Sequence, residues 1–412
     1  MEPIVQRCVG IDIGKITLKA TLRVQGGAGR KTRREVRTFE TTTAELLRLR
    51  DWLMSEEVTL VGMESTGVYW KPVYYLLEEV VECWLLNAQH LKKVPGRKTD
   101  VTDSEWIAEL VAHGLVRPSF VPPRPIRRLR DLTRYRTALT QERTREVQRL
   151  QNVLEDAGIK LDAMVSDITG ASARQMLAAL IAGERDPQTL ADLALGRMRP
   201  KVPDLQRALV GHFNDHHARL CSRMLAHIDD LTAMIAELTG EIDSEIEPFH
   251  HAREQLSTIP GVSHRIAEVI IAETGADMSR FPTPQQLASW AGMCPGNNES
   301  AGRHFTGRTR KGDRWLRGGL GEAAAAASRT RDTYLSSRYR RLASRRGKKK
   351  AQVAIGHDIL LATWHILTRD VAYQDLGGDY FDLHVMDPGR RVTRLTQQLQ
   401  ALGYRVTLEH AA

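Results

Sequence analysis

Apolar and small or polar residues alternate at the front of the chain. In CVGIDIGKITLKATL, Cys8 to Leu22, the residues Val9, Ile11 and Ile13 fall on one face of an extended chain. Gly10, Asp12 and Gly14 fall on the other. The stretch reads as one strand. Gly26, Gly27 and Gly29 mark a turn, and a return strand is expected over Arg34 to Phe39. The period then becomes helical in AELLRLRDWLMSE, with Thr43 or a neighbouring threonine as its cap. VTLVGMESTGVYW is a second buried strand that closes on Glu64. KPVYYLLEEVV reads as a helix, and ECWLLNAQHL starts as a strand. KKVPGRKTDVTDSEWIAELVAHG is a polar loop entering a helix.

Further on the pattern is helical. Residues 122–130, VPPRPIRRL, read as a linker, and Arg127 to Ala157 as a long helix with a stripe through Leu129, Leu132, Leu139, Val147, Leu150 and Leu154. A second long helix is expected from Leu205 to Ile246. Within it Leu220, Met224, Ile228, Leu231, Ile235, Leu238 and Ile242 recur at three- and four-residue steps, close to a heptad seam. The region between is helical with breaks at Pro187, Pro200 and Pro203. This part reads as a helical insert forming a coiled-coil arm, its helices paired either within one chain or between subunits. Ile259-Pro260-Gly261-Val262 joins two helical stretches in the manner of a helix-hairpin-helix, which aims backbone N–H groups at a phosphate, although PG also occurs in many ordinary helical turns. FPTPQQLASWAG is a capped helix, and GEAAAAAS a small-faced one. Between them Pro295 to Gly302 is a polar loop with Ser300 near its centre. GHDILLATWHILTRD closes the helical region, and RVTRLTQQLQALGYRV reads as a surface helix. The expected domains are 1–125, 126–250 (the arm), 251–385 (mainly α) and a tail over 386–412.

Composition narrows the partners. The chain has 412 residues, ample for two or three domains with a sizeable core, and 42% hydrophobic content is that of a globular protein. No apolar run is long enough for a membrane span, and MEPIVQRCVG lacks the apolar segment of a signal peptide. Cys8, Cys83, Cys221 and Cys294 lie far apart with no CxxC pair, which argues against structural zinc and a disulfide framework and fits a reducing cytosol. Arg303 to Lys350 holds 16 Lys and Arg against 3 Asp and Glu, an excess of +13 in a chain of net charge +9, so the remainder is net −4. One concentrated basic region points to a polyanionic partner. Gly302, Gly307 and Gly312 recur every five residues among Arg303, Arg308, Arg310, Lys311 and Arg314. RYRRLASRRGKKK is a second basic cluster, for which a solvated helix end is the ordinary reading.

An aspartate inside an apolar strand is costly unless a cation meets it. The ordinary alternative is a strand that ends near Asp12. The element order strand, hairpin, helix, strand, helix, strand, acidic helix is that of an α/β RNase H-like (RuvC-like) domain. There, carboxylates of the first strand, the fourth strand and a late helix converge at one sheet edge. Here they would be Asp12, Glu64, and Asp100 with Asp103. Four acids so placed repel one another and make sense around hard divalent cations, two Mg²⁺ ions. Taken alone, Asp100 and Asp103 also suit helix N-capping.

The succession GIDIGK, GMESTGVYW, GRKTDVTDSEW, IPGV and CPGNNESAGRHFTGRTRKG resembles the bacterial insertion-sequence transposases of the IS110 type, the DEDD recombinases, some guided by a bridge RNA. The resemblance covers residues 5–120 and 250–385. It implies that Asp12, Glu64, Asp100 and Asp103 form the metal-binding tetrad of a RuvC-like domain and that Ser300 is the nucleophile of a C-terminal transposase domain. It also implies DNA as substrate, a guide RNA as partner, and a homo-oligomer, dimer or tetramer, in the bacterial cytoplasm. Gly261, Arg303, Arg308, Arg310, Lys311 and Arg314 are the candidate nucleic-acid contacts. Three rivals remain. A RuvC-like Holliday-junction nuclease would use the acids with water as nucleophile. A sugar-kinase-like ATPase shares GIDIG but needs further phosphate and adenosine sites that have no candidate here. A non-enzymatic nucleic-acid-binding protein would leave the acids structural.

Overall fold

The opening stretch folds as two strands, not one. In the computed structural model β1 (Arg7–Ile13) and β2 (Thr17–Val24) run antiparallel. The structure describes the chain apart from residues 1–2, 27–30, 66, 92–93, 95–101, 295–298, 301, 305–308, 310, 385–387 and 409–412. The N–H of Gly14 donates to Thr17 O at 2.9 Å, and a Cβ on Gly14 would stand 2.8 Å from that oxygen, so the reversal requires glycine. The buried positions change phase across it, from Val9, Ile11 and Ile13 to Leu18, Ala20 and Leu22. That phase change marks the turn in the sequence.

β3 (Arg33–Glu40) pairs antiparallel with β2, while β4 (Leu60–Glu64) and β5 (Glu82–Leu86) extend the sheet in parallel from β1. The strand order β3-β2-β1-β4-β5 is compatible with an RNase H-like domain. The connecting helices are α1 (Thr43–Ser55), α2 (Trp70–Leu77), α3 (Ala88–Leu91) and α4 (Asp103–Ala112). One sheet face buries Val9, Ile11, Leu22 and Met63 with Leu49 and Leu53 of α1 and Leu77 of α2. The other buries Cys8, Leu60 and Leu86 against Ile107, Leu110 and Val111 of α4. Residues 1–122 make one compact unit and 123–412 a second.

In the second unit α5 (Arg124–Asp156) starts earlier than expected, inside the supposed linker. Pro123 is its N-cap and Pro125 lies in the first turn, where a missing N–H costs nothing. The expected helix over Leu205–Ile246 is broken into α9 (Val202–Ala208) and α10 (Asp215–Glu245). Gly211 packs so closely that a Cβ would lie 2.5 Å from Ala157 O, and the Asn214 side chain caps α10 by accepting from His216 N. Between α5 and α9 stand α6 (Leu161–Met164), α7 (Ala171–Ala182) and α8 (Pro187–Asp192), which share a core with the end of α5 and the start of α10. Further along, α5 and α10 of the same chain meet through Leu139, Leu231 and Leu238.

Next come α11 (His250–Ser257), α12 (His264–Thr274), α13 (Pro284–Trp290), α14 (Arg314–Ala327), α15 (Tyr334–Arg346) and α16 (Lys348–Arg369), then α17 (Tyr380–His384) and α18 (Pro388–Ala401). Ala323, Ala324 and Ala327 of α14 are buried in their common core with Ile270 and Ile359. Among the described residues no helix is long and apolar enough to cross a membrane. None of the four cysteines is paired, and burial raises the Cys8 thiol to about 11, which keeps it protonated.

Candidate active site

Asp12 is the next-to-last residue of β1 and half-buried. The parallel register sets Gly10 beside Gly62 and Ile11 beside Met63. One step further along the register places Asp12 beside Glu64, the last residue of β4, on the sheet face that α4 covers. Glycines let that helix descend. A Cβ on Gly10 would stand 3.0 Å from Ala108 Cα and nearer still to Ser104 O and Ala108 N. A Cβ on Gly62 would meet Val111 and come within 3.2 Å of Ile107 Cγ2. The room left by these glycines is filled by the helix. Ser104 is fully buried, its hydroxyl 2.8 Å from Thr21 Oγ1.

This close docking carries Asp103, the first residue of α4, to Asp12. Burial raises the Asp12 carboxyl above its ordinary range, the negative charge of Asp103 raises it further, and Lys19, directly opposite on β2, pulls it back. The helix cap is Thr102, in a reciprocal capping box with Glu105. Capping therefore does not account for Asp103. Asp100 lies outside the described residues. Among the described residues no group of three or more His, Cys, Asp or Glu side chains is arranged to hold a metal. The raised Asp12 carboxyl beside Asp103 is nonetheless the chemistry that suits a hard cation, because a cation would relieve both the burial and the repulsion.

In the second unit Ser300 ends a two-residue strand, β6 (Glu299–Ser300), paired antiparallel with β7 (Arg303–His304). The register sets Ser300 opposite Arg303, and Gly302 supplies φ +73 for the turn. Arg303, Lys311 and Arg314 are exposed, and Arg308 and Arg310 lie outside the described residues. The Arg314 guanidinium lies 4.5 Å from the centre of the Trp315 ring. At Gly261 φ is +90, and a Cβ there would lie 2.5 Å from Ala327 N, so packing against α14 already requires glycine.

Sequence reasoning missed the anchor behind the serine-bearing segment. Arg134 of α5 makes two 2.7 Å bonds to the buried Glu273 and reaches Asp313 at 3.3 Å. Asp313 also caps α14 by accepting from Trp315 N and Leu316 N. Arg130 donates to the carbonyl oxygens of Ala272 and Glu273. One arginine among many on α5 gave no sign of this role.

The sequence matches two family profiles, a DEDD transposase profile of IS110 over residues 9–159 and the transposase IS116/IS110/IS902 family over 253–340. Together they span more than half of the chain. The chain belongs to the IS110 family of transposases. The first match contains all four candidate acids of this transposase, and the second contains Gly261, Ser300 and the basic residues after it. The chain is 24% identical over 380 residues to the transposase for insertion sequence element IS1111A of Coxiella burnetii, covering 89% of this chain and 91% of that protein. It is also 24% identical over 334 residues to a probable family 20 transposase of Pseudomonas aeruginosa, covering 79% of this chain and 89% of that one.

Proposed function

We propose that this transposase cuts and rejoins DNA through a covalent link at Ser300, with Asp12, Glu64, Asp100 and Asp103 holding two Mg²⁺ ions. The observation that carries this reading is the half-buried Asp12 carboxyl, raised by burial and by Asp103 at the end of β1. When bound, the ions would neutralise charge on the phosphate and on the departing oxygen. Ser300 Oγ forms a bond to phosphorus as one phosphorus–oxygen bond to a deoxyribose breaks. The hydroxyl proton passes to solvent or a carboxylate, and the departing deoxyribose oxygen takes one up. One phosphoester replaces another, so rejoining needs no ATP.

Arg303, opposite Ser300 in the hairpin, acts with Arg308, Arg310, Lys311 and Arg314 on DNA phosphates, and the Gly261 turn offers backbone N–H groups. Nothing in the sequence resembles a base-reading zinc finger or homeodomain, and a guide RNA supplies the target sequence by pairing. The α5 and α10 helices form the coiled-coil arm of a homo-oligomer, dimer or tetramer, working in the bacterial cytoplasm. The domains are 1–125, 126–250, 251–385 and 386–412.

The test is a denaturing gel of reactions with labelled element-end DNA. The wild-type chain should give a protein–DNA adduct and Ser300→Ala none. An adduct that survives in the variant removes Ser300 from the mechanism. Cleavage without any adduct in the wild type returns the reading to a RuvC-like Holliday-junction nuclease with water as nucleophile. A discrete RNA should accompany the purified chain.

A further inference from the structure

Two clefts open on either side of α14. Arg314, Arg317, Gly318 and Gly321 line one of them with Gln352 of α16. Arg314, Trp315 and Gly318 line the other with Arg265 of α12 and Thr140 of α5. Arg314 and Gly318 belong to both, so the clefts form one trough across the helix.

The charged residues of the walls are mainly cationic, with Glu322 of α14 an acid lining the second cleft. Exposed Lys348 and Lys349 precede Gln352 by one turn on α16 and extend the first wall. Arg265 donates to Thr140 Oγ1 at 3.3 Å. Burial lowers the hold of Arg265 on its proton, and the adjacent Arg136 lowers it further, against Glu268 and Glu322. An anion would relieve that strain.

The floor is bare. Beyond the adjoining residues and the helix's own backbone, no described atom lies within 4 Å of a Cβ built on Gly318 or Gly321. Gly319 between them differs, because its Cβ would touch Val269 at 3.4 Å. Glycine inside a helix is destabilising relative to alanine, yet the fold itself would accept alanine at 318 and 321. Gln352 Nε2 donates to Gly321 O at 2.8 Å without occupying the space. Two costly helical glycines whose missing side chains leave open space, with arginines beside them, suit a sugar–phosphate backbone lying against bare Cα atoms.

We infer that this trough seats the DNA strand that continues from the phosphate attacked by Ser300. The inference rests on the serine reading, since α14 directly follows the Ser300 segment, and it adds Arg265, Arg317, Gly318 and Gly321 to the DNA-binding residues.

The test uses the full chain carrying Ser300→Ala, so that binding is read without cleavage and an error about the nucleophile shows only in the adduct assay. Melting temperature and affinity for a fluorescent mixed-sequence DNA duplex are measured with and without Gly318→Ala/Gly321→Ala. The double substitution should leave melting unchanged or raised and weaken DNA binding by about tenfold. Arg265→Gln should reduce the slope of log affinity against log salt by about one. Wild-type DNA affinity in the double variant overturns the inference. So does a lowered melting temperature, which would give the glycines a packing role. Loss of co-purifying RNA with DNA binding intact overturns it too.

Discussion

Replacing Gly10 by alanine tests the link between fold and acids. The added Cβ would stand 3.0 Å from Ala108 Cα and closer to Ser104 O and Ala108 N, where ordinary contact begins at 3.4 Å. These are backbone atoms of α4, so no side chain can swing aside. The helix must retreat by about 1 Å, and overpacking of this kind costs about 1–3 kcal/mol. Retreat also stretches the buried Thr21–Ser104 hydrogen bond, 2.8 Å in the native fold, worth about 1 kcal/mol. The sum, about 2–4 kcal/mol, corresponds to a fall of roughly 8–16 °C in the melting of a unit of this size. Calorimetry of the full chain with and without MgCl₂ reads both consequences. The transition of the first unit should fall by that amount. The Mg²⁺-induced rise should shrink, because Asp103 moves away with α4. A melting temperature within about 2 °C of wild type, with an undiminished Mg²⁺ response, would refute the docking argument.

Asp12→Asn should abolish the Mg²⁺-induced rise in melting temperature while raising metal-free stability at neutral pH. The sign follows from the raised carboxyl: the folded chain binds the proton more tightly than the unfolded chain. Its contribution therefore declines as pH rises above the ordinary carboxylate value of 3.8 through the folded pKa, and neutral pH carries the full penalty. A pH series of melting curves checks it, and a destabilised metal-free variant at neutral pH would contradict it. Arg134→Met should cost about 3 kcal/mol in urea unfolding, because the Glu273 side chain, 1% exposed, loses its bidentate partner. Adding Glu273→Gln should recover part of that loss. An unaltered urea midpoint in Arg134→Met would show that the anchor contributes nothing.

Much of the first unit was legible in the sequence because short apolar strands there alternate with helical periods. Glu64 could be placed at a strand end from the run before it, whereas Asp12 read as lying inside one strand to Leu22 and is in fact the next-to-last residue of β1. The β1–β2 hairpin was missed because its turn is only Gly14 to Ile16, and the sole trace is a one-residue change of phase. The start of α5 was misplaced because prolines read as linker although the first helical turn tolerates them. The break at Gly211 was missed because the seam that suggested a single helix, Leu220 to Ile242, lies wholly within α10 and says nothing of the residues before it.

Residue types and their periods determined by themselves that a mixed α/β unit precedes a helical one, that one acid sits within the first strand and another closes a later one, and that the net excess of positive charge lies in Arg303–Lys350. These are local properties, set by side-chain chemistry at fixed spacing along one element. Tertiary structure alone decided that Gly10 and Gly62 admit α4 and so bring Asp103 to Asp12. It alone tied Arg134 to Glu273 and Asp313, and left Gly318 and Gly321 bare between arginine-bearing clefts. Each of these joins residues far apart in the chain, and no periodicity along the chain encodes a distance across it.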